Sequence, residues 1–187
     1  MSNAPPHVGR LTPGDAAAFR DIRLEALRTA PDQFGSRLED WAHRPLADFA
    51  ALLENTRAFG ARGDAGLVGL AGWHTPQGDA LRGKLIMVFV RPGWRGRGVV
   101  GRLLTRICED ARGRVDRLEL TVNTTNAAAM WAYERAGFRA YDTVPGGLRH
   151  GDRVFDTARM RRDLPGQTET VSDQVGLEVG FGPASNS

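Results

Sequence analysis

Three glycines, Gly96, Gly98 and Gly101, are interleaved with Arg95, Arg97 and Arg102. Glycine lets a ligand approach backbone N–H groups closely, and arginine adds full positive charge, so these residue types at this spacing suit an anion. Just downstream, Val100, Leu103, Leu104, Ile107 and Ala111 recur at helical spacing, so a helix begins inside the glycine run. The first turn of a helix has unpaired N–H groups, and the helix dipole adds partial positive charge there. Upstream, the apolar run 85–90 reads as a short buried strand, broken by Pro92 and Gly93. The chemistry expected of this strand–turn–helix is a cradle for paired phosphates.

Two patterns describe the run. Gly96-Arg97-Gly98-Val99-Val100-Gly101 is a G-x-G-x-x-G, and Glu119 follows near the place of a ribose-binding acid. A dinucleotide loop, however, follows its strand almost directly, whereas five residues separate Val90 from Gly96. The chain is also short for a doubly wound sheet plus a substrate domain. The other pattern is Arg95-x-x-Gly98 after Val90-x-Pro92, and a second constellation decides for it. Asn126-x-x-Ala129-x-x-x-Tyr133-Glu134-x-x-Gly137-Phe138 follows a strand ending near Val122. This spacing puts Asn126, Ala129 and Tyr133 on one helix face, as a cap or amide partner, a small residue and a hydroxyl.

Together the two motifs resemble those of the GNAT (Gcn5-related N-acetyltransferase) superfamily, whose first motif is usually written R/Q-x-x-G-x-G/A. The resemblance covers residues 85–140. One position departs: Val100 stands where Gly or Ala is usual, with Gly101 one place late. A backbone N–H needs no particular side chain, so binding is expected to survive. The resemblance implies a mixed α/β (α+β) fold. Its central, mostly antiparallel, twisted sheet splays between the fourth and fifth strands and carries helices on both faces. It implies acetyl-CoA as acyl donor, with the pantetheine arm paired to Val88, Phe89 and Val90. The diphosphate would rest on the N–H groups of Arg95, Gly96, Arg97, Gly98, Val99 and Val100, with Gly101 just beyond. Asn126, Ala129 and Tyr133 would complete the cofactor contacts, and no metal is called for. A neutral amine would attack the thioester directly, and Tyr133 would protonate the departing thiolate as general acid.

No carboxylate lies in 85–90 to act as base. Glu25, Glu39, Asp40, His74 or a water relay remain open, and Asn123 is placed to orient an amine or a water. A small-molecule amine is the first acceptor expected, then a protein N-terminus or lysine. The acceptor pocket would draw on 20–41, 75–83 and 142–152. Rival functions are a non-catalytic acyl-CoA sensor and, on the G-x-G-x-x-G alone, a nicotinamide oxidoreductase.

The composition agrees with a soluble globular protein: 41% hydrophobic and 25% charged residues over 187 positions. The net charge is only +3, but residues 91–117 hold eight arginines against three acids, a local net of +5. Aromatics do not interleave with these arginines as in a base-stacking platform, so a small anionic cofactor is expected rather than nucleic acid. Cys108 is the only cysteine and falls among apolar helix positions, as a buried structural thiol would. The first ten residues lack the apolar core of a signal peptide, and no run approaches a membrane span, so a cytoplasmic location is expected.

The elements that must position these residues follow from periodicity. Residues 8–11 read as a first strand, 16–30 as a helix ending before Pro31, and 45–54 as a second helix. A hairpin follows over 57–62 and 67–74, then the cofactor strand, loop and helix, a strand over 118–122 and a helix over 126–136 capped by Gly137. Residues 138–144 and 153–160 are the last strands of a domain spanning 1–164. Residues 165–187 read as a flexible tail. The alternating Val175, Leu177, Val179 and Phe181 within it leave open an edge strand or pairing in a homodimer.

Overall fold

The computed structural model describes residues 5–165. The elements in chain order are β1 (His7–Arg10), α1 (Ala16–Thr29), α2 (Glu39–Ala42), α3 (Leu46–Asn55), β2 (Arg57–Gly63), β3 (Gly66–His74), β4 (Arg82–Val90), α4 (Val99–Ala111), β5 (Arg117–Asn123), α5 (Ala127–Arg135), β6 (Arg139–His150) and β7 (Arg153–Asp163). The expected strands and helices are all present. The short α2 was not foreseen, and Pro45 stands at the N-cap of α3 instead of inside it. The strand expected over 138–144 runs on to His150. Most of the stretch 142–152, expected to line an acceptor pocket, is therefore the distal half of the β6–β7 hairpin. The alternation at 175–181 lies outside the described residues.

One sheet of seven strands has the order β1-β2-β3-β4-β5-β7-β6. Every neighbouring pair is antiparallel except β4 and β5. That pair is parallel and touches only where Arg82, Gly83 and Lys84 face Arg117, Leu118 and Glu119. Beyond Lys84 the two strands part, so the expected splay is present. The wedge is clasped at its closed end by charge. Arg117 donates to Glu119 at 2.9 Å and to Asp79 at 3.0 Å, and Arg82 reaches Glu119 at 3.4 Å. Glu119, weighed above as a ribose acid, is thus engaged in this cluster.

Alternate residues of the same strands feed two cores. Phe59, Ala61, Val68, Ala71 and Trp73 pack with α4, while Ala58, Leu67 and Leu70 pack with α1 and α3. Both sheet faces are therefore covered, which is why the central strands read as continuous apolar runs. A polar anchor ties α4 to the sheet. Asp110 accepts from Arg57 Nε and Nη2 at 2.5 and 2.6 Å and from Trp73 Nε1 at 3.0 Å. Burial pushes the Asp110 carboxyl up, but the hydrogen bonds from Arg57 and Trp73 and the Arg57 charge outweigh it and hold the carboxyl below its ordinary value.

A depressed carboxyl stabilises the fold above its unfolded value of about 3.9 and loses that contribution as pH falls through the lower folded value. Asp110→Asn should therefore cost about 2–3 kcal/mol at neutral pH in urea unfolding. It should also flatten the loss of stability that the wild type shows on acidification below pH 4.

Candidate active site

The apolar run of β4 hides a β-bulge. Register against β3 changes between Leu70/Phe89 and Gly72/Ile86, and Met87 sits at φ 59. The bulge also flips which face the side chains take. Leu85 packs in the core of α4 and Ile86 against that of α1. Met87 again packs toward α1, then Val88, Phe89 and Val90 alternate. Periodicity alone does not reveal this shift, because every residue concerned is apolar.

Past the bulge, the backbone of β4 is open on the β5 side. The Arg91 amide donates to the Val68 carbonyl at 3.0 Å, so these two form a hydrogen-bonded pair. Phe89 opposite Leu70 repeats that geometry. The Val90 amide therefore points the other way, into the gap. The Val90 carbonyl on the same side accepts from Arg95 Nε at 3.2 Å, which fastens the turn to the end of β4.

The turn is shaped for access to its amides. Gly96 and Gly98 lie at φ 74 and 73, conformations that side-chain-bearing residues adopt at a cost, and Gly98 is the N-cap of α4. The Arg95 amide is taken by the Pro92 carbonyl at 3.1 Å. Among the described residues, none of the amides of Gly96, Arg97, Gly98, Val99, Val100 and Gly101 donates a well-formed hydrogen bond to a protein acceptor. The open set thus begins one residue after Arg95 and reaches Gly101. A Cβ at Gly96, Gly98 or Gly101 would meet nothing within 4 Å, so no protein atom crowds these glycines. Close packing holds the turn from behind. A Cβ at Gly63 would lie 2.7 Å from the Trp94 ring, and one at Gly69 would lie 2.8 Å from Val99 Cγ1.

The local positive charge is smaller than the sequence suggests. Arg91 pairs with Glu25 at 2.9 Å, Arg106 with Glu109, and Arg117 with Asp79 and Glu119. Arg97 lies over the Trp94 ring, and neither it nor Arg102 forms an ion pair among the described residues. Cys108 is buried, as expected, and burial pushes its thiol up.

On the far side of the gap, Asn126 caps α5. Its Oδ1 accepts from the Ala129 amide at 3.0 Å, and its Nδ2 donates to Gln33 Oε1 at 2.6 Å. Asn123, expected to orient a substrate or water, has its amide engaged within the protein instead. It donates to the Asp32 carbonyl and accepts from the Thr125 amide and hydroxyl. Tyr133 is 8% exposed, in the same cluster as Val90, Leu104 and Val122, and edge-on to Phe138 at 6.0 Å. Its hydroxyl makes no hydrogen bond among the described residues, yet it is not among the sealed unpaired atoms. Burial pushes its phenol well above the ordinary tyrosine value.

The structure separates the candidate bases. Glu25 is held beside Arg91, directly after β4, at the open end of the wedge. His74 pairs with Lys84, where β4 and β5 are still together. Glu39 and Asp40 lie on α2. A cleft of about 460 Å³ runs from Gly101 and Thr105 on α4 to Ala132 and Arg135 on α5 and Arg162 on β7. Sequence reading did not assign these last four residues. The signal was the four-residue spacing of Gly101 and Thr105, which puts both on one face of α4.

The family described as acetyltransferase (GNAT) family matches residues 17–138, well over half of the chain. The chain belongs to this family. Among curated proteins it is similar to streptothricin acetyltransferase of Streptomyces lavendulae, with 37% identity over 131 residues that cover 67% of this chain and 64% of that protein. It is also similar to mycothiol acetyltransferase of Beutenbergia cavernae, with 29% identity over 163 residues, covering 71% of this chain and 54% of that protein. The chain therefore spans about half to two thirds of the length of these relatives. Among solved structures, a putative acetyltransferase of Salmonella typhimurium with its cofactor acetyl-CoA superposes with a TM-score of 0.72 at 22% identity, over 87% of this chain and 95% of that one. This agreement concerns the fold.

Two glycines of the turn should respond oppositely to substitution in the ligand-free protein. Gly98→Val should cost about 1–2 kcal/mol in urea unfolding, because φ 73 is left-handed. Gly101→Ala, inside α4 with open space at its Cβ, should stabilise by about 0.5–1 kcal/mol.

Proposed function

We propose that this GNAT protein transfers an acetyl group from acetyl-CoA to the primary amine of a small molecule. The observation that carries this reading is two sets of groups without protein partners, one at the end of β4 and one on α5. The first is the unclaimed amides of residues 96–101 and the free edge of β4. The second is a phenol whose oxygen has no protein partner among the described residues but is not sealed. The first suits a diphosphate attached to an extended amide-bearing arm, and the second suits the sulfur at its end. The family match and the acetyl-CoA bound to a structural neighbour support the cofactor. The names of the two curated relatives, whose acceptors are small molecules, support the acceptor class.

In this reading the pantetheine arm lies along β4 and pairs with the backbone of Val88, Phe89 and Val90. The Val90 amide, pointing into the gap, offers a hydrogen bond on that edge. The diphosphate takes the amides of Gly96, Arg97, Gly98, Val99, Val100 and Gly101, while Arg95 braces the turn through the Val90 carbonyl. Val100 contributes only its N–H, so its side chain is compatible with the role. Asn126 and Ala129 form the start of the opposite wall, with Asn126 holding the helix end in place. The cleft from Gly101 to Arg162 receives the part of the nucleotide beyond the diphosphate.

A neutral amine attacks the thioester carbonyl; the C–N bond forms as the C–S bond breaks, and the sulfur leaves as a thiolate. Tyr133 donates its proton, or a strong hydrogen bond, to that sulfur. A phenol pushed up by burial stays protonated at neutral pH, so the acid is present wherever the enzyme works. Glu25, at the open end of the wedge, is the carboxylate best placed to take the amine proton through water.

Incubation with acetyl-CoA and a panel of amines should release free thiol with at least one amine. Tyr133→Phe should lower kcat about 10²- to 10³-fold while leaving the Kd for coenzyme A within about twofold. Full activity of that variant would remove Tyr133 from the chemistry.

A further inference from the structure

One charged side chain in the core lacks a partner and is unused by the mechanism above. Arg23, on the sheet-facing side of α1 among Phe19, Ile22, Ala26 and Leu27, is 4% exposed. Its Nε and Nη1 are buried without a hydrogen-bond partner, and it forms no ion pair among the described residues. The Phe34 ring stacks on it, 5.3 Å from its Cζ. Nη2 is not sealed, so the guanidinium reaches accessible space at one corner. Burial pulls its pKa down, to about 10, with no neighbouring carboxylate acting against it. It nevertheless stays charged at neutral pH.

The loop over Arg23 is fastened to the open end of the wedge. Asp32 offers its carbonyl to Asn123 at the end of β5, and Gln33 accepts from Asn126 at the start of α5. Phe34, the next residue, covers the guanidinium. The Arg23 side chain therefore lies between α1 and a loop anchored where β4 and β5 have parted, while Glu25, two residues further along α1, is bound to Arg91 at the end of β4. The acids nearest in sequence do not compensate the charge: Asp21 is exposed and Glu25 pairs with Arg91, while Asp32, in the loop over the guanidinium, accepts from Gln33. A buried cation without an anion is costly, and a planar fork of donors matches a carboxylate.

We propose that Arg23 is the anchor for a carboxylate of the acceptor, so that the substrate class is a small amine that also carries a carboxylate. This rests on the acetyl-transfer reading above and narrows it. Phe34 keeps the guanidinium plane fixed, and the acceptor's carboxylate supplies the anion that the fold withholds. The amine at the other end of the same molecule is thereby oriented toward the thioester.

The test uses the full chain, acetyl-CoA and matched acceptors: amino acids from glycine to 6-aminohexanoate, lysine and glutamate, each beside its carboxamide. For the preferred member, kcat/KM should exceed that of its amide by about 10- to 100-fold, mainly through KM. Arg23→Gln should abolish that ratio while leaving the KM for acetyl-CoA and turnover of the carboxamides within about twofold. Equal rates for acids and amides throughout the wild-type series would overturn the proposal, even if Arg23→Gln does not fold. A uniform loss on all acceptors in Arg23→Gln would also overturn it, by making the residue structural. If no amine is acetylated, the transfer reading fails, and thermal shift decides on Arg23 separately. N-acetylated amino acids should raise Tm in the wild type more than their amides do and lose that effect in Arg23→Gln; no difference between acid and amide sinks the anchor.

Discussion

The separation of β4 from β5 is the constraint on which the rest of the molecule depends. Three residue pairs hold the strands together, and a cluster of Asp79, Arg82, Arg117 and Glu119 clasps that end. On its other edge β5 pairs with β7 along its whole length, so it cannot follow β4. Two strand edges are left with backbone groups that need partners. In most sheets such an opening would be a defect. Here α4 begins just beyond the end of one strand and α5 just beyond the end of the other, and in the proposed reading an extended ligand with amides, phosphates and a sulfur completes the sheet.

The opening has to be rigid to be useful, and its rigidity comes from packing behind it. Glycines at 63 and 69 let Trp94 and α4 sit directly on the sheet. Asp110 fixes α4 to β2 and β3 through Arg57 and Trp73. The bulge at Met87 changes the facing of β4 just before the stretch that borders the gap. Most arginines near the turn are engaged in holding the fold. The attraction for an anion therefore falls mainly to the backbone amides, with Arg97 and Arg102 nearby.

Polar residues near the gap divide into two groups. Asn123, Asn126 and Gln33 satisfy one another and the backbone around them, and so fasten the loop after α1 to β5 and α5. Tyr133 and Arg23 are buried among apolar neighbours and lack a protein partner among the described residues. Polar groups of the second kind carry a stability penalty that a ligand can remove. In the proposed reading they are the part of the site that the fold leaves incomplete.

Much of this was legible in the chain itself. The helices and strands were set by apolar spacing and by Gly and Pro, and the turn was visible because glycines precede an amphipathic helix. Tyr133 was found because an Asn, an Ala and a Tyr share one helix face. Such signals are local, and local periodicity records them. Tertiary structure alone decided which polar groups were already satisfied, because their partners lie far away in sequence. Glu119 was removed from candidacy by Arg117 and Arg82, Asn123 by Asp32, and the Arg95 amide by Pro92. The bulge was hidden because the residues on both sides of it are apolar. No local pattern shows that Arg23 lacks a partner, and only the packing of α1 against the sheet and of Phe34 over its guanidinium shows that it is buried and unpaired among the described residues.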